Sequence, residues 1–174
     1  MEMKKHWEFT GETKTVLGVT LRRIKCVVAI ERLGVAVGDV GGWIENEENL
    51  SGNAWVSGNA QVCDNARVCD NAWVYDNAQV YGDAQVSGNA QVSGNAWETS
   101  PLFIQGSRWS LCMVTKDKLK IGCQTHTLKT WERMYKKIAA ENNAEDIVGE
   151  YMLYFNVFCA RYLDEAAPED EGIE

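Results

Sequence analysis

The sequence predicts a mainly β protein built around a parallel β-helix of about three coils. Three observations predict this fold: a strict six-residue period, an alternation of two residues within each repeat, and turn-forming residues at each repeat boundary. From residue 53 the chain reads Asn-Ala-Trp-Val-Ser-Gly, then Asn-Ala-Gln-Val-Cys-Asp, and continues in this pattern. So short a period is typical of repeat architectures and outweighs local propensity.

The alanine and valine of each repeat predict the core of this β-helix. They lie two residues apart, so both side chains point to the same face of a short extended segment. Ile44 and Leu50 extend the valine series toward the N-terminus, which gives about nine hexads. The alanine column contains residues 54, 60, 66, 72, 78, 84, 90 and 96, and the valine column contains residues 56, 62, 68, 74, 80, 86 and 92.

The repeat boundaries predict tight corners. Gly-Asn and Asp-Asn tolerate positive φ, and their side chains can hydrogen-bond to the nearby backbone, so each boundary can form a corner. Three six-residue sides with three such corners close a coil of 18 residues. Asp64, Asp70 and Asp76 take the corner position in three successive hexads. We interpret them as turn residues, in preference to an acidic ring that binds a cation in an oligomer.

The rest of the chain predicts caps and a separate C-terminal module. Residues 1–43 contain apolar and aromatic strands that cap the β-helix of residues 44–100. Residues 101–163 predict a β-hairpin around Lys116-Asp117 and two helices, the first over residues 127–142 and the second over about 145–163 with Asn143 as its N-cap. The second helix is apolar nearly all round, so we expect it to be buried on two sides. Residues 164–174 predict a disordered acidic tail.

The net charge of −8 is unevenly distributed. Residues 44–100 hold eight acidic residues and one basic residue, and residues 164–174 hold six acidic residues and no basic residue. Residues 101–143 hold eight basic residues against three acidic ones. The C-terminal module therefore predicts an anion-binding face, although an ordinary solvated surface has the same composition. We do not expect duplex nucleic acid as a partner.

The composition favours a cytoplasmic protein. The chain has no apolar stretch long enough to span a membrane and no secretory leader at its N-terminus, so we expect no membrane association. Its six cysteines show no disulfide framework and no Cys-x-x-Cys pair, which favours reduced thiols. If a phage encodes the protein, its compartment is the host cytoplasm.

Two sets of motifs carry a family resemblance. The repeat Val-x-Gly-Asn-Ala-x resembles the hexapeptide repeat of left-handed β-helix acyltransferases and their relatives. The leader Leu21-Arg-Arg-Ile, the run Val37-Gly-Asp-Val-Gly-Gly-Trp-Ile-Glu45 and Asn49-Leu-Ser resemble bacterial and prophage β-helix proteins described as acetyltransferase-like or polymer-forming. The resemblance covers residues 7–97, and continues more weakly through Ile121-Gly-Cys and Trp131. It implies a left-handed coil and homotrimers.

The histidines argue against acyl transfer. Hexapeptide acyltransferases use a histidine base beside a coil, and the coils of this chain contain neither a histidine nor a loop insertion. The two histidines are His6, in the leader, and His126, in the C-terminal module. Cys112, Cys123 and His126 have no spacing typical of a zinc site, so we interpret His126 as a structural residue and expect neither metal nor cofactor.

Two groups of residues are candidate binding sites. Arg108, Trp109, Lys116, Lys118 and Lys120 could hold a phosphate-bearing ligand, since alternate lysines on a strand share a face. Trp55 and Trp73 lie one coil apart and are expected to face outward, as are Tyr75 and Tyr81. Exposed aromatic residues on a small prism favour contact between subunits, with a ligand platform or covering by the C-terminal module as alternatives.

These observations leave three hypotheses open. The first is a non-enzymatic, oligomeric β-helix protein that binds a small anionic ligand, such as a signalling nucleotide, or a host protein. The resemblance to prophage proteins implies for it an accessory or counter-defence role. The second hypothesis is a degenerate acyltransferase, and the third is a structural spacer.

Overall fold

The computed structural model describes residues 5–94 and 96–162. The chain forms two compact units, and the boundary along the chain lies between Pro101 and Leu102. The first unit is entirely β apart from two short 3₁₀ helices, Glu31–Leu33 and Glu47–Asn49. The second contains a four-stranded sheet and two α-helices. No helix in the described ranges is long and apolar enough to cross a membrane. The expected acidic tail lies outside these ranges.

The hexads form the sides of a three-sided solenoid. Each contributes a two-residue strand, and successive strands of one side pair in parallel 18 residues apart: Trp55 pairs with Trp73 and then Gln91, and Gln61 pairs with Gln79. The last strand is one residue short of this register, because Ala96 pairs with Gln79 and Trp97 with Val80, so Ala96 does not continue the expected alanine column. With Ile44 and Leu50 as the first two sides, three coils are complete, and a last strand begins a fourth. The strands are β4 (Trp55–Val56), β5 (Gln61–Val62), β6 (Arg67–Val68), β7 (Trp73–Val74), β8 (Gln79–Val80), β9 (Gln85–Val86), β10 (Gln91–Val92) and β11 (Ala96–Trp97).

The expected core is confirmed for the described side chains. The alanines from Ala54 to Ala90 and the valines from Val56 to Val92 are at most 1 % exposed. The corners are also as expected, because Asp64, Asp70 and Asp76 adopt φ of 56 to 59°. The Asp70 carboxylate accepts a hydrogen bond from the Gly88 amide at 3.0 Å, so this side chain joins its own corner to the corner of the next coil.

Three strands precede the solenoid and extend one of its sheets. The strands are β1 (Trp7–Val16), β2 (Val19–Cys26) and β3 (Val40–Ile44), and the sheet runs β1-β2-β3-β5-β8-β11. β1 and β2 form an antiparallel hairpin, and β3 pairs in parallel with β5. The hairpin turn places Leu17 at φ 48°, and its side chain is fully exposed.

The second unit is an antiparallel sheet with helices. Its strands are β12 (Phe103–Gln105), β13 (Ser110–Met113), β14 (Lys118–Ile121) and β15 (Gln124–Thr127), paired in that order, so the expected hairpin is the central pair of a larger sheet. Helix α1 (Leu128–Glu141) begins at Thr127, whose hydroxyl accepts a hydrogen bond from the Thr130 amide. The turn Glu145–Ile147 leads into α2 (Val148–Tyr162).

One expectation about α2 is wrong. Asn143 is not its N-cap, because Asn143 takes a left-handed φ of 51° in the turn that follows α1. Within the second unit the helix is buried on one side, and burial of its other side against another subunit stays a prediction. Tyr151, Phe155, Phe158 and Tyr162 are buried, but Leu153 and Val157 are 68 and 50 % exposed. The sequence of α2 is therefore apolar nearly all round because the helix has one packed face and a second apolar stripe on its surface.

Candidate ligand-binding site

Strand β14 presents lysines on one face and core residues on the other. Leu119 is fully buried, and its carbonyl accepts a hydrogen bond from Trp131 Nε1 at 2.8 Å, which marks the side facing α1. Because side chains alternate along a strand, Lys118 and Lys120 lie on the opposite face. Lys118 is exposed and Lys120 is half-buried.

Threonines from β15 lie beside these lysines. Lys118 pairs across the ladder with Thr127, and Lys120 pairs with Thr125. Directly opposed residues have Cβ atoms about 4.5–5.5 Å apart, so the Thr125 hydroxyl is within reach of the Lys120 ammonium group. Thr127 already caps α1, whereas Thr125 is exposed. We call Lys118, Lys120 and Thr125 the lysine face.

The other residues of the expected site do not belong to the lysine face. Arg108 lies 2.7 Å from the Asp146 carboxylate and also donates to the Asn143 carbonyl, so its charge is already paired. Trp109 lies beside Gly122 on the side of the sheet that faces the helices. Lys116 is exposed in the turn between β13 and β14. The structure therefore brings only Lys118 and Lys120 together on one strand face, because Arg108 and Trp109 precede β13 and Lys116 lies in the turn before β14.

On its helix-facing side, the second unit contains an apolar crevice that the sequence did not reveal. The turn between β14 and β15, α1 and α2 enclose a volume of about 70 Å³. The lining residues are mostly apolar or aromatic, and they come from positions 109 to 155. Ile121-Gly-Cys and Trp131, which carried the weaker part of the family resemblance, form part of the wall.

The structure corrects the expected exposure of Trp55. Its side chain is 2 % exposed, because the leader covers the first coil: His6 lies 6.2 Å from the indole, measured between ring centroids, and β3 crosses beside it at Gly41. Trp55 therefore stacks in register with Trp73 but offers no surface to a partner. A repeat pattern defines which side chains point away from the coil axis, but it does not show what covers them.

The other expected interface aromatics are half-buried. Trp73 donates from Nε1 to the Ser57 hydroxyl at 2.9 Å, and its ring centroid is 4.6 Å from that of Tyr75. Tyr81 lines a cleft of about 360 Å³ between the solenoid and the β1–β2 hairpin, where Leu17 and Leu21 also contribute. Trp73, Tyr75 and Tyr81 therefore remain available in part on the surface of the first unit.

Each histidine makes a polar contact within the protein. His6 is buried, and its Nε2 lies 2.8 Å from the Ala54 carbonyl. Burial lowers the pKa of His6 more than this hydrogen bond raises it. His126 Nε2 lies 3.3 Å from Gln124 Oε1, and its ring packs edge-on against Trp131. Within the described ranges no group of three or more metal-ligating side chains occurs.

The outward cysteines of the solenoid are weakly acidic thiols. Burial, together with the charges of Asp64 and Glu45, raises the pKa of Cys63 to about 11. Burial and Asp70 also raise the pKa of Cys69. Both cysteines are free, as expected. Since the thiolate is the reactive form, neither is suited to act as a nucleophile at neutral pH.

One comparison with known proteins matches the solenoid. The family model described as the YdcK β-solenoid repeat matches residues 60–76, 66–82, 78–94 and 84–99. No curated protein matches the chain. The match agrees with the parallel 18-residue register of β4 to β10, and it shows that residues 60–99 form a β-solenoid repeat.

Proposed function

We propose that this chain is a non-enzymatic, oligomeric β-helix protein whose second unit binds a small anionic ligand, such as a signalling nucleotide. The observation that carries the proposal is the lysine face, where two lysines and a threonine share one side of a regular sheet. The sheet fixes the backbone positions of the two lysines, and their long side chains can reach a ligand that bears two phosphates.

The distribution of charge supports the lysine face over the solenoid as the anion site. Acidic corner residues, including Asp64, Asp70 and Asp76, surround the solenoid and would repel a phosphate. Arg108 contributes less than the sequence suggested, because a phosphate would first have to displace Asp146. The lysine face carries no acidic residue on its two paired strands, Lys118–Ile121 and Gln124–Thr127.

The surroundings of the histidines support binding over acyl transfer. An acyltransferase needs a base that reaches an acceptor hydroxyl or amine beside the coil. His6 is buried against the Ala54 carbonyl, and the coil residues contain no histidine that could replace it. The degenerate acyltransferase is therefore the weaker alternative.

The finer features of the proposal come from the family resemblance. We propose a left-handed coil, a homotrimer, and a phage or prophage accessory role in counter-defence within the cytoplasm of the host. The leader and hexapeptide motifs support these features. We propose that Trp73, Tyr75 and Tyr81 form the contacts between subunits, since their rings remain partly exposed. A host protein is the alternative partner to the anionic ligand.

Charge reversal on the lysine face tests the proposed anion site. Isothermal titration of the full chain with ATP and with pyrophosphate would compare the wild type with Lys118→Glu/Lys120→Glu. We expect at least about tenfold weaker binding, because each charge-assisted hydrogen bond contributes about 1.5–3 kcal/mol and about 1.4 kcal/mol corresponds to tenfold. Binding by the wild type should also weaken as salt rises.

The matched control is Lys136→Glu/Lys137→Glu, which makes the same charge change on exposed positions of α1. It should alter the Kd less than about twofold, an effect of long-range charge alone. Equal losses in the two double variants, or no binding of either probe by the wild type, would contradict the proposed site.

A further inference from the structure

The apolar crevice of the second unit lies apart from the lysine face. It lies on the other side of β14, where Ile121 points toward the helices. Trp109, Tyr135, Tyr151 and Phe155 supply aromatic walls, and Met152 adds a thioether. Lysine and arginine are absent from its described lining. The crevice therefore has a different ligand chemistry from the lysine face.

Hydrogen bonds made away from the crevice hold its walls in place. The Tyr151 hydroxyl donates to the Trp109 carbonyl at 2.8 Å and accepts from the Trp109 and Arg108 amides. Gly106 permits this approach, since a Cβ there would lie 2.7 Å from the Tyr151 hydroxyl oxygen. The indole of Trp131 is bonded to the Leu119 carbonyl. These side chains keep their positions without a ligand.

The polar groups at the margin are also engaged. Asn142 Nδ2 donates to the Ile138 carbonyl at 2.8 Å, within α1. Gln124 contacts the Cys123 sulfur with one end of its amide and His126 with the other. A charged ligand would lose its hydration in the crevice and find no compensating partner among these groups. The occupant must therefore be neutral and apolar.

The volume limits the size of the occupant. An apolar protein cavity of about 150 Å³ binds benzene, and this crevice encloses about 70 Å³ while remaining open on one side. Because the crevice encloses less than half of that volume, only part of a single ring lies inside it, and the rest of the ring lies at the open side. Aromatic walls favour an aromatic occupant, because edge-to-face contacts between rings add to the stabilisation from burial.

We propose that the crevice between β14, α1 and α2 binds a small neutral molecule through a single aromatic ring. Cys123 lies exposed at the mouth, so a bound ring should shield its thiol from reagents. The ring enters beside Gly122, with any substituent left outside the crevice. The site does not depend on Lys118 or Lys120.

Fluorobenzene, followed by ¹⁹F NMR with the full chain, provides the test. We expect saturable binding, with Ala139→Leu weakening it at least tenfold because the larger side chain fills the crevice. The matched control is Ala140→Leu, on the neighbouring exposed position of α1 that does not line the crevice, and it should change the Kd less than twofold. Circular dichroism would establish that both variants fold.

A second measurement uses the unaltered chain. Fluorobenzene should slow modification of Cys123 by a maleimide at least threefold, as read by peptide mass mapping, and leave the reaction of added glutathione unaffected as a reference. Absence of saturation, equal binding by Ala139→Leu, or unchanged Cys123 modification would overturn the proposal. Equally tight binding of cyclohexane would overturn the aromatic assignment. Lys118→Glu/Lys120→Glu should retain fluorobenzene binding, which separates this site from the lysine face.

Discussion

At the scale of single residues, His6 shows how burial changes the chemistry of a group. Its imidazole is enclosed by the leader and the first coil, beside Trp55 and with Nε2 at the Ala54 carbonyl. Desolvation is the main cause that lowers the pKa of His6 below its ordinary value of 6.5, and the positive charge of Arg32 lowers this pKa further. His6 is therefore neutral in the folded chain at pH 7.

This lowered pKa predicts that the first unit loses stability in mild acid. As the pH falls below about 6.5, the unfolded chain takes up a proton at His6 that the folded chain resists. The free energy of unfolding should then fall by up to about 1.4 kcal/mol per pH unit, until the folded pKa is reached. Thermal unfolding at pH 7.5 and 5.5 would show a smaller loss for His6→Gln than for the wild type. An identical loss in both proteins would contradict the prediction.

Other single residues show where sequence reasoning failed. Arg108 was an expected ligand contact, but Asp146, 38 residues away, already pairs with it. Trp55 was expected on the surface, but the leader covers it. In both cases the deciding neighbour is distant in sequence, and no local pattern indicates it. Lys118 and Lys120 were correctly expected to share a face, because strand alternation is a local property.

At the scale of elements, each side of the solenoid depends on one valine and one alanine. The strands are only two residues long, so each forms few backbone hydrogen bonds. The stacked alanine and valine side chains supply the apolar core of the solenoid. Asp64 and Asp70 add hydrogen bonds between corners of successive coils. The period of six is therefore maintained by the core column and by the corners together.

The valine column predicts a severe effect of one buried charge. Val74 is fully buried in the middle strand of the sheet β10-β7-β4. Val74→Asp would place an unpaired carboxylate in an apolar stack and should abolish folding of the first unit, since the cost exceeds several kcal/mol. Gln79→Lys, at an exposed outward position, should change the melting temperature by only a degree or two. Circular dichroism melting would measure both, and a Val74→Asp variant with wild-type melting would contradict the assigned core.

At the scale of the whole molecule, the chain combines an acidic repeat unit with a basic mixed unit. Residues 44–100 and 101–143 differ strongly in charge, and the boundary between the two compact units lies at Pro101 and Leu102. The candidate sites for small ligands lie in the second unit. The partly exposed aromatic residues of the solenoid lie in the first and are the proposed contacts between subunits.

The proposed trimer predicts that a charge at this aromatic surface separates the subunits. With Trp55 buried, Tyr81 is one of the remaining candidates, and it lies in the cleft below the β1–β2 hairpin. Native mass spectrometry should find a trimer for the wild type and mainly monomer for Tyr81→Glu, because a buried carboxylate at an interface is costly. Gln85→Glu adds the same charge at an exposed solenoid position and should remain trimeric. A monomeric wild type, or a trimeric Tyr81→Glu, would exclude this interface.

The sequence by itself determined the solenoid: its repeat length, its Ala and Val core, its Asp corners and the shared face of Lys118 and Lys120. These features follow from periodicity and turn chemistry, which act over a few residues. Only the tertiary structure decided that Trp55 is covered, that Arg108 is paired with Asp146, and that residues from 109 to 155 enclose a crevice. Each of these depends on contacts between segments far apart in the chain, whose positions are set by packing, so no local pattern encodes them.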